Sequence, residues 1–195
     1  MSLNKIENRS GGNVSKSDTG GSEDGKMLVE GYAAVLESPT VIFKSGDTEY
    51  KEVIDRHAFD ECDMADVVFR YNHASNVTTL ARTANNTLSL DVDGKGLHVR
   101  AELADVTLGH DLYTLIQRGD VSKMSFGFTV REDSYDSKTH TRRILKIDRI
   151  VDVSAVDFPA YDDTSITEAR DYFAAQDRVL AREEEIKRLV LRTML

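Results

Sequence analysis

The chain has 195 residues, 40% hydrophobic and 30% charged, which suits one folded domain with appendages. A net charge of −9 argues against a protein that grips nucleic-acid phosphates, because that task needs a basic face. The single cysteine, Cys62, excludes a disulfide framework, no apolar run reaches membrane-spanning length, and Met1-Ser2-Leu3-Asn4-Lys5 lacks a signal-peptide core, so a soluble intracellular protein is expected.

Residues 1–25 contain Gly11-Gly12-Asn13 and Thr19-Gly20-Gly21-Ser22 with few apolar side chains, the composition of a flexible lead-in. Met27 to Leu36 reads as the first strand, broken by Ser38-Pro39-Thr40. Val41 to Asp47 reads as a loop or short strand, and Tyr50 to Ile54 as another short strand. Asp55 to Cys62 is expected to open a short helix with Asp55 as its cap. Val67 to His73 is a strand with Val67, Phe69, Tyr71 and His73 on one face, so His73 falls where the apolar face runs out. Thr78 to Arg82 and Thr87 to Val92 read as strands joined at Asn85-Asn86. Asp93-Gly94-Lys95-Gly96 is a hairpin turn, with Leu97 to Leu103 as the return strand.

Asp105 to Arg118 is helical, with Leu108, Leu112, Leu115 and Ile116 on one face and Gly119 as its stop. In Lys123 to Val130, Met124, Phe126, Phe128 and Val130 alternate with Ser125, Gly127 and Thr129, the period of a half-buried strand. Ser134 to Thr141 is a polar excursion, Arg142 to Val156 is strand-rich, and Phe158-Pro159-Ala160-Tyr161 ends it. Residues 165–195 form a charged helix with a partial stripe of Ala169, Phe173, Leu180, Ile186 and Leu189. The expected architecture is α+β and β-rich: a mostly antiparallel, partly open β-barrel with flanking helices and a C-terminal helix.

Several residues carry chemistry. Ser125 stands on a strand whose other face anchors in a core, and Gly127 leaves space beside it; a serine becomes a nucleophile only with a positioned base and an orienting group. Of five histidines, His73 alone ends a buried strand, although any single His by pattern is more often structural. Asp152 is an acid within an apolar strand, with Ser154 on the same face, and a buried carboxylate needs a partner. A protonated His would serve, and so would an ion pair to Arg142, Arg143 or Arg149. Asp91-Val92-Asp93-Gly94 only faintly resembles a calcium loop, no spacing fits zinc, and the phosphate-binding and Gly-x-Ser-x-Gly motifs are absent.

Six motifs in order resemble the HK97-type phage prohead (capsid maturation) protease family: Glu30-Gly31-Tyr32-Ala33; Glu52-Val53-Ile54 with His57-Ala58-Phe59; Asn72-His73; Thr87-Leu88 before Asp93 and Gly96-Leu97; Gly119-Asp120-Val121 with Met124-Ser125-Phe126-Gly127-Phe128; and Val153-Ser154-Ala155-Val156 with Pro159-Ala160-Tyr161. The resemblance covers roughly residues 27–167. It implies a serine endopeptidase, related in fold to herpesvirus assemblins, that cleaves the scaffold part of the phage major capsid protein and also itself. It implies Ser125 as nucleophile, His73 as base and Asp152 as third member, where family members more often carry Glu. No cofactor and no metal are implied. The partner implied is the major capsid protein precursor, with a homo-oligomer and no nucleic acid or membrane; the place is the host cytoplasm, inside the prohead. The corresponding division is a flexible segment at 1–25, a protease domain at 26–164 and a helix at 165–195. Arg142 or Arg143 could join backbone N–H groups in stabilising an oxyanion. The alternative is a non-enzymatic β-barrel module for capsid assembly or scaffolding, in which Ser125, His73 and Asp152 need not meet.

Overall fold

The computed structural model describes residues 5–17, 25–76, 78–157 and 163–193. Its strands are β1 (Glu7–Lys16), β2 (Met27–Val35), β3 (Thr40–Ser45), β4 (Thr48–Ile54), β5 (Val68–Tyr71), β6 (Ala81–Arg82), β7 (Leu88–Val92), β8 (Gly96–Leu103), β9 (Lys123–Asp136) and β10 (Thr141–Val156). Among the described residues two α-helices accompany them, α1 (Thr107–Arg118) and α2 (Asp163–Thr193), with a short 3-10 helix at Thr83–Asn85. The strands run in the order β3-β4-β10-β9-β1-β2-β8-β7, with β5 also paired to β10 and β6 to β5. Pairing is antiparallel except where β10 meets β4 and β5. Among the described strands this ladder does not close on itself: β3 and β7 are its ends, so the sheet is open where a partly open barrel was expected. The β3 end lies under α2, where Ile42, Ala169 and Phe173 are buried together with Phe43, Tyr50 and Tyr135 packed against them.

β9 and β10 form the spine, and their alternation explains it. Phe126 and Phe128 stack at 4.5 Å and join Phe69, Val153, Ala155 and Met124 in the main core. Each such buried large side chain contributes roughly 1.5–3 kcal/mol of burial free energy. The long β9–β10 hairpin runs through Asp136 and resumes at Thr141, so half of the expected polar excursion is strand and the turn is confined to residues 137–140. α1 ends where Gly119 enters the left-handed region (φ 82°) and its N–H caps Ile116 and Leu115. No helix among the described residues is long and apolar enough to cross a membrane.

Four expectations change. Residues 7–16, read as part of a flexible lead-in, are strand β1, wedged between β9 and β2. Its buried side chains are Val14 and Arg9, and Arg9 is covered by carboxylates instead of hydrocarbon, which is why no apolar pattern betrays it. Gly11 allows the wedge: a Cβ there would lie 1.8 Å from the Ala33 carbonyl oxygen. Asp55 to Cys62 forms successive turns instead of a helix. The strand expected over Thr78 to Arg82 shrinks to Ala81–Arg82, which pairs with β5, while β7 pairs with β8. Of the tail stripe, Ala169 and Phe173 are buried whereas Ile186 and Leu189 are exposed. The strand end at 158–161 and the glycine-rich stretch at 18–24 lie outside the described residues.

Candidate active site

Strand register sets out the site as two rows across one sheet face. Paired residues share a face, so Arg70 on β5, Ser154 on β10, Ser125 on β9 and Ser10 on β1 form one row. Val68, Asp152, Gly127 and Asn8 form the next. The opposite face carries Phe69, Val153 and Phe126, the packed core.

Asp152 reaches this face through an irregularity. Ile150 pairs with Phe128, Asp152 with Gly127 and Val153 with Phe126, so β10 spends three steps where β9 spends two. This is a β-bulge, and it reverses the alternation. Ile150 points into the core while Asp152 points to the serine. Gly127 makes the room, since a Cβ there would sit 2.4 Å from Asp152 Oδ1.

His73 arrives from outside the sheet. β5 ends at Tyr71, and Asn72 and His73 both take the left-handed conformation (φ 52° each), which folds the chain back over the face. The His73 ring then bridges the other two groups: Nδ1 lies 2.6 Å from Asp152 Oδ2 and Nε2 2.6 Å from Ser125 Oγ. Ser154 supports the arrangement from below, donating its hydroxyl to Asp152 Oδ2 (2.9 Å) and accepting the His73 backbone N–H (3.2 Å). Sequence pattern puts Ser154 on the face of Asp152, but nothing in it marks this supporting role.

The proton positions follow from the partners. Asp152 is 5% exposed, and its Oδ2 accepts a hydrogen bond from the His73 Nδ1–H, the tautomer that leaves Nε2 with a lone pair. Ser125 has one hydroxyl proton and two acceptors in reach, His73 Nε2 and the Arg9 carbonyl oxygen at 2.9 Å. A proton on Nε2's side primes the serine for attack; a proton on the Arg9 side does not. Ser125 is fully buried, so a peptide carbonyl reaches it only after neighbouring chain moves aside.

The other expected groups lie elsewhere. Arg142 is bonded to Glu7, Glu52 and Asp133, and Arg143 to Glu37 and Asp55. Both guanidinium groups are committed to carboxylates, and among the described residues no hydrogen bond or ion pair joins either to Ser125, His73 or Asp152. Neither is placed to meet an oxyanion. Arg70, on the serine's face, has a buried Nε without a hydrogen-bond partner. His57 faces Asp60, His110 faces Asp105, His140 faces Tyr135, and His98 packs edge-on to Tyr32, so all four have ordinary structural partners. Asp93 accepts the N–H groups of Lys95 and Gly96 and the Tyr32 hydroxyl, which accounts for it as a turn residue. Burial, aided by Asp63, pushes the Cys62 thiol up to about 12, so it is protonated and a poor nucleophile.

Comparison with known proteins gives three findings. The model of the caudovirus prohead serine protease family matches residues 13–178. The "Prohead protease" of Enterobacteria phage HK97 is 32% identical over 148 residues, which is 73% of this chain and 60% of that relative's length. The solved structure of the bacteriophage T4 capsid assembly protease aligns with a TM-score of 0.48 and 15% identity, over 80% of this chain and 97% of the other.

Proposed function

We propose, because the chain belongs to the caudovirus prohead serine protease family, that it is a serine endopeptidase that cuts the scaffold part of its phage's major capsid protein, and itself, within the prohead in the host cell. We read the protease domain as starting with β1 and the helix from residue 165 as an appendage. The observation that carries the proposal is the His73 ring held at 2.6 Å from both Ser125 Oγ and Asp152 Oδ2.

In this mechanism Ser125 Oγ attacks the scissile carbonyl carbon while His73 Nε2 takes its proton. The tetrahedral intermediate collapses when His73 returns that proton to the leaving amine. Water then attacks the acyl-enzyme by the same route and frees Ser125. Asp152 keeps the proton of the resting imidazole on Nδ1 and stabilises the imidazolium formed during each step. Ser154 holds Asp152, and the β10 bulge aims it. The short reach of the Asp152 side chain is met by the pairing of β9 with β10 and the missing side chain at Gly127. The non-enzymatic alternative gives no reason for these three side chains to converge.

The test is co-expression with the cognate capsid-protein precursor, followed by mass spectrometry. Wild type yields trimmed capsid protein; Ser125→Ala and His73→Ala leave it whole while retaining the wild-type melting transition. Full trimming by Ser125→Ala would reject the assignment.

A further inference from the structure

The chain segment that delivers His73 is conformationally costly. Asn72 and His73 are consecutive residues with φ 52°, a region where a Cβ is disfavoured, and such residues persist only where their surroundings over-determine them. Those surroundings are specific. The Asn72 N–H donates to the Ala155 carbonyl at 3.0 Å, continuing the β5–β10 ladder by one step. The Asn72 side chain then forms a reciprocal pair with Asp157: Nδ2 donates to Asp157 Oδ2 at 2.8 Å, and the Asp157 N–H donates to Asn72 Oδ1 at 3.1 Å. Tyr71 closes the cluster, its hydroxyl 2.6 and 2.7 Å from the two Asp157 oxygens.

Asp157 follows directly on β10, the strand that carries Asp152 and Ser154. β10 therefore holds the histidine twice, by its ring through Asp152 and by its backbone N–H through Ser154, and Asp157 just beyond it holds the preceding Asn72. We propose that Asp157, clasping Asn72 with help from Tyr71, is a positioning residue: it locks the left-handed turn that places the His73 ring between Asp152 and Ser125. The inference rests on His73 being the general base. Asp157 does not touch Ser125, His73 or Asp152, so its effect on catalysis runs through the backbone at residues 72 and 73.

The structural consequence is distinct from simple stability. Without the clasp, residues 72 and 73 relax toward ordinary backbone conformations and the ring leaves the Asp152–Ser125 line, while the core behind β5 and β10 is unchanged. Glycine at 72 enters the left-handed region without penalty, whereas alanine does not.

The experiment compares Asp157→Ala, Asn72→Gly and Asn72→Ala with the wild-type full chain, using a peptide spanning the cleavage site of the capsid-protein precursor. Asp157→Ala is expected to lower kcat by about 10- to 100-fold with KM little changed, the size of effect a displaced catalytic group produces. It should also abolish the low-field Nδ1 proton resonance of His73 in the NMR spectrum, a signal a remote structural defect would leave alone. Asn72→Gly should retain more activity than Asn72→Ala. Unchanged kcat and an intact Nδ1 resonance in Asp157→Ala, beside an inactive His73→Ala, would overturn the positioning role and leave the base assignment standing. A rise in KM at constant kcat would overturn it as well, by making Asp157 a substrate contact. An active His73→Ala protein would instead overturn the base assignment itself.

Discussion

Replacing Gly127 by alanine tests the site with a single methyl group. An added Cβ would lie 2.4 Å from Asp152 Oδ1 and 2.9 Å from Asn8 Oδ1, whereas ordinary contact begins at 3.4 Å. The carboxylate must therefore retreat by about 1 Å, the difference between 2.4 and 3.4 Å. It is not free to swing, because Oδ2 is bonded to His73 Nδ1 and to the Ser154 hydroxyl. The shift is passed to the imidazole or breaks its bond. Misplacing a catalytic group by about 1 Å costs about 100-fold in rate, equivalent to about 2.7 kcal/mol of transition-state stabilisation. The expected result is a kcat reduced by about that factor with KM nearly unchanged, because the methyl faces Asp152 and Asn8. In an Asp152→Ala background the same change should cost almost nothing further, as a double-mutant cycle on that peptide would reveal. A Gly127→Ala protein with kcat within about threefold of wild type would refute the claim that Gly127 exists to admit Asp152.

Two further outcomes concern β1. Arg9→Met leaves the buried Glu52 carboxylate, among the described residues, with only its 3.1 Å contact to Arg142 Nη1; the loss should be about 3 kcal/mol, a melting-temperature drop of roughly 6–12 °C for a chain of this size, and the Arg9→Met/Glu52→Met double variant should recover part of it in the same thermal scan. Glu7 gives the acid dependence: burial alone would raise its carboxyl, but hydrogen bonding and charge from Arg142, then Arg9, hold it below the ordinary 4.5. Because the folded value is the lower one, this stabilisation is present above the unfolded pKa and is lost as pH falls through the folded pKa. Urea midpoints from about pH 6 down to about pH 3 should fall less steeply in Glu7→Gln than in wild type; parallel curves would show that Glu7 does not contribute.

What could be read from the sequence divides along physical lines. β9 was legible because Met124, Phe126 and Phe128 alternate without interruption, and the β7–β8 turn and the α1 stop were legible because they carry Gly94 and Gly119. β1 was not, because burial there is achieved by Arg9 against Glu7 and Glu52 and by glycines that let backbones touch, and neither produces a hydrophobic period. The site shows the same division. Periodicity sets Ser125 opposite Met124 on its strand, while its proposed role comes from resemblance to a family. Periodicity placed His73 on the apolar face of its strand, yet the left-handed turn at Asn72 and His73 lifts it off that face and over the polar one. Periodicity read on from Ile150 would likewise put Asp152 in the core, and the bulge turns it out. In both cases resemblance to a family named the residue where pattern could not. One signal for the turn was present: asparagine is among the few residues with a Cβ that enter the left-handed region readily, and it stands directly before the histidine. For the bulge there was none, because Ile150-Val151-Asp152-Val153 reads as a uniform buried strand with one acid in it. The facing of a side chain on a regular strand is thus visible to periodicity, while that of one which must be re-aimed is visible only in the register of its neighbours.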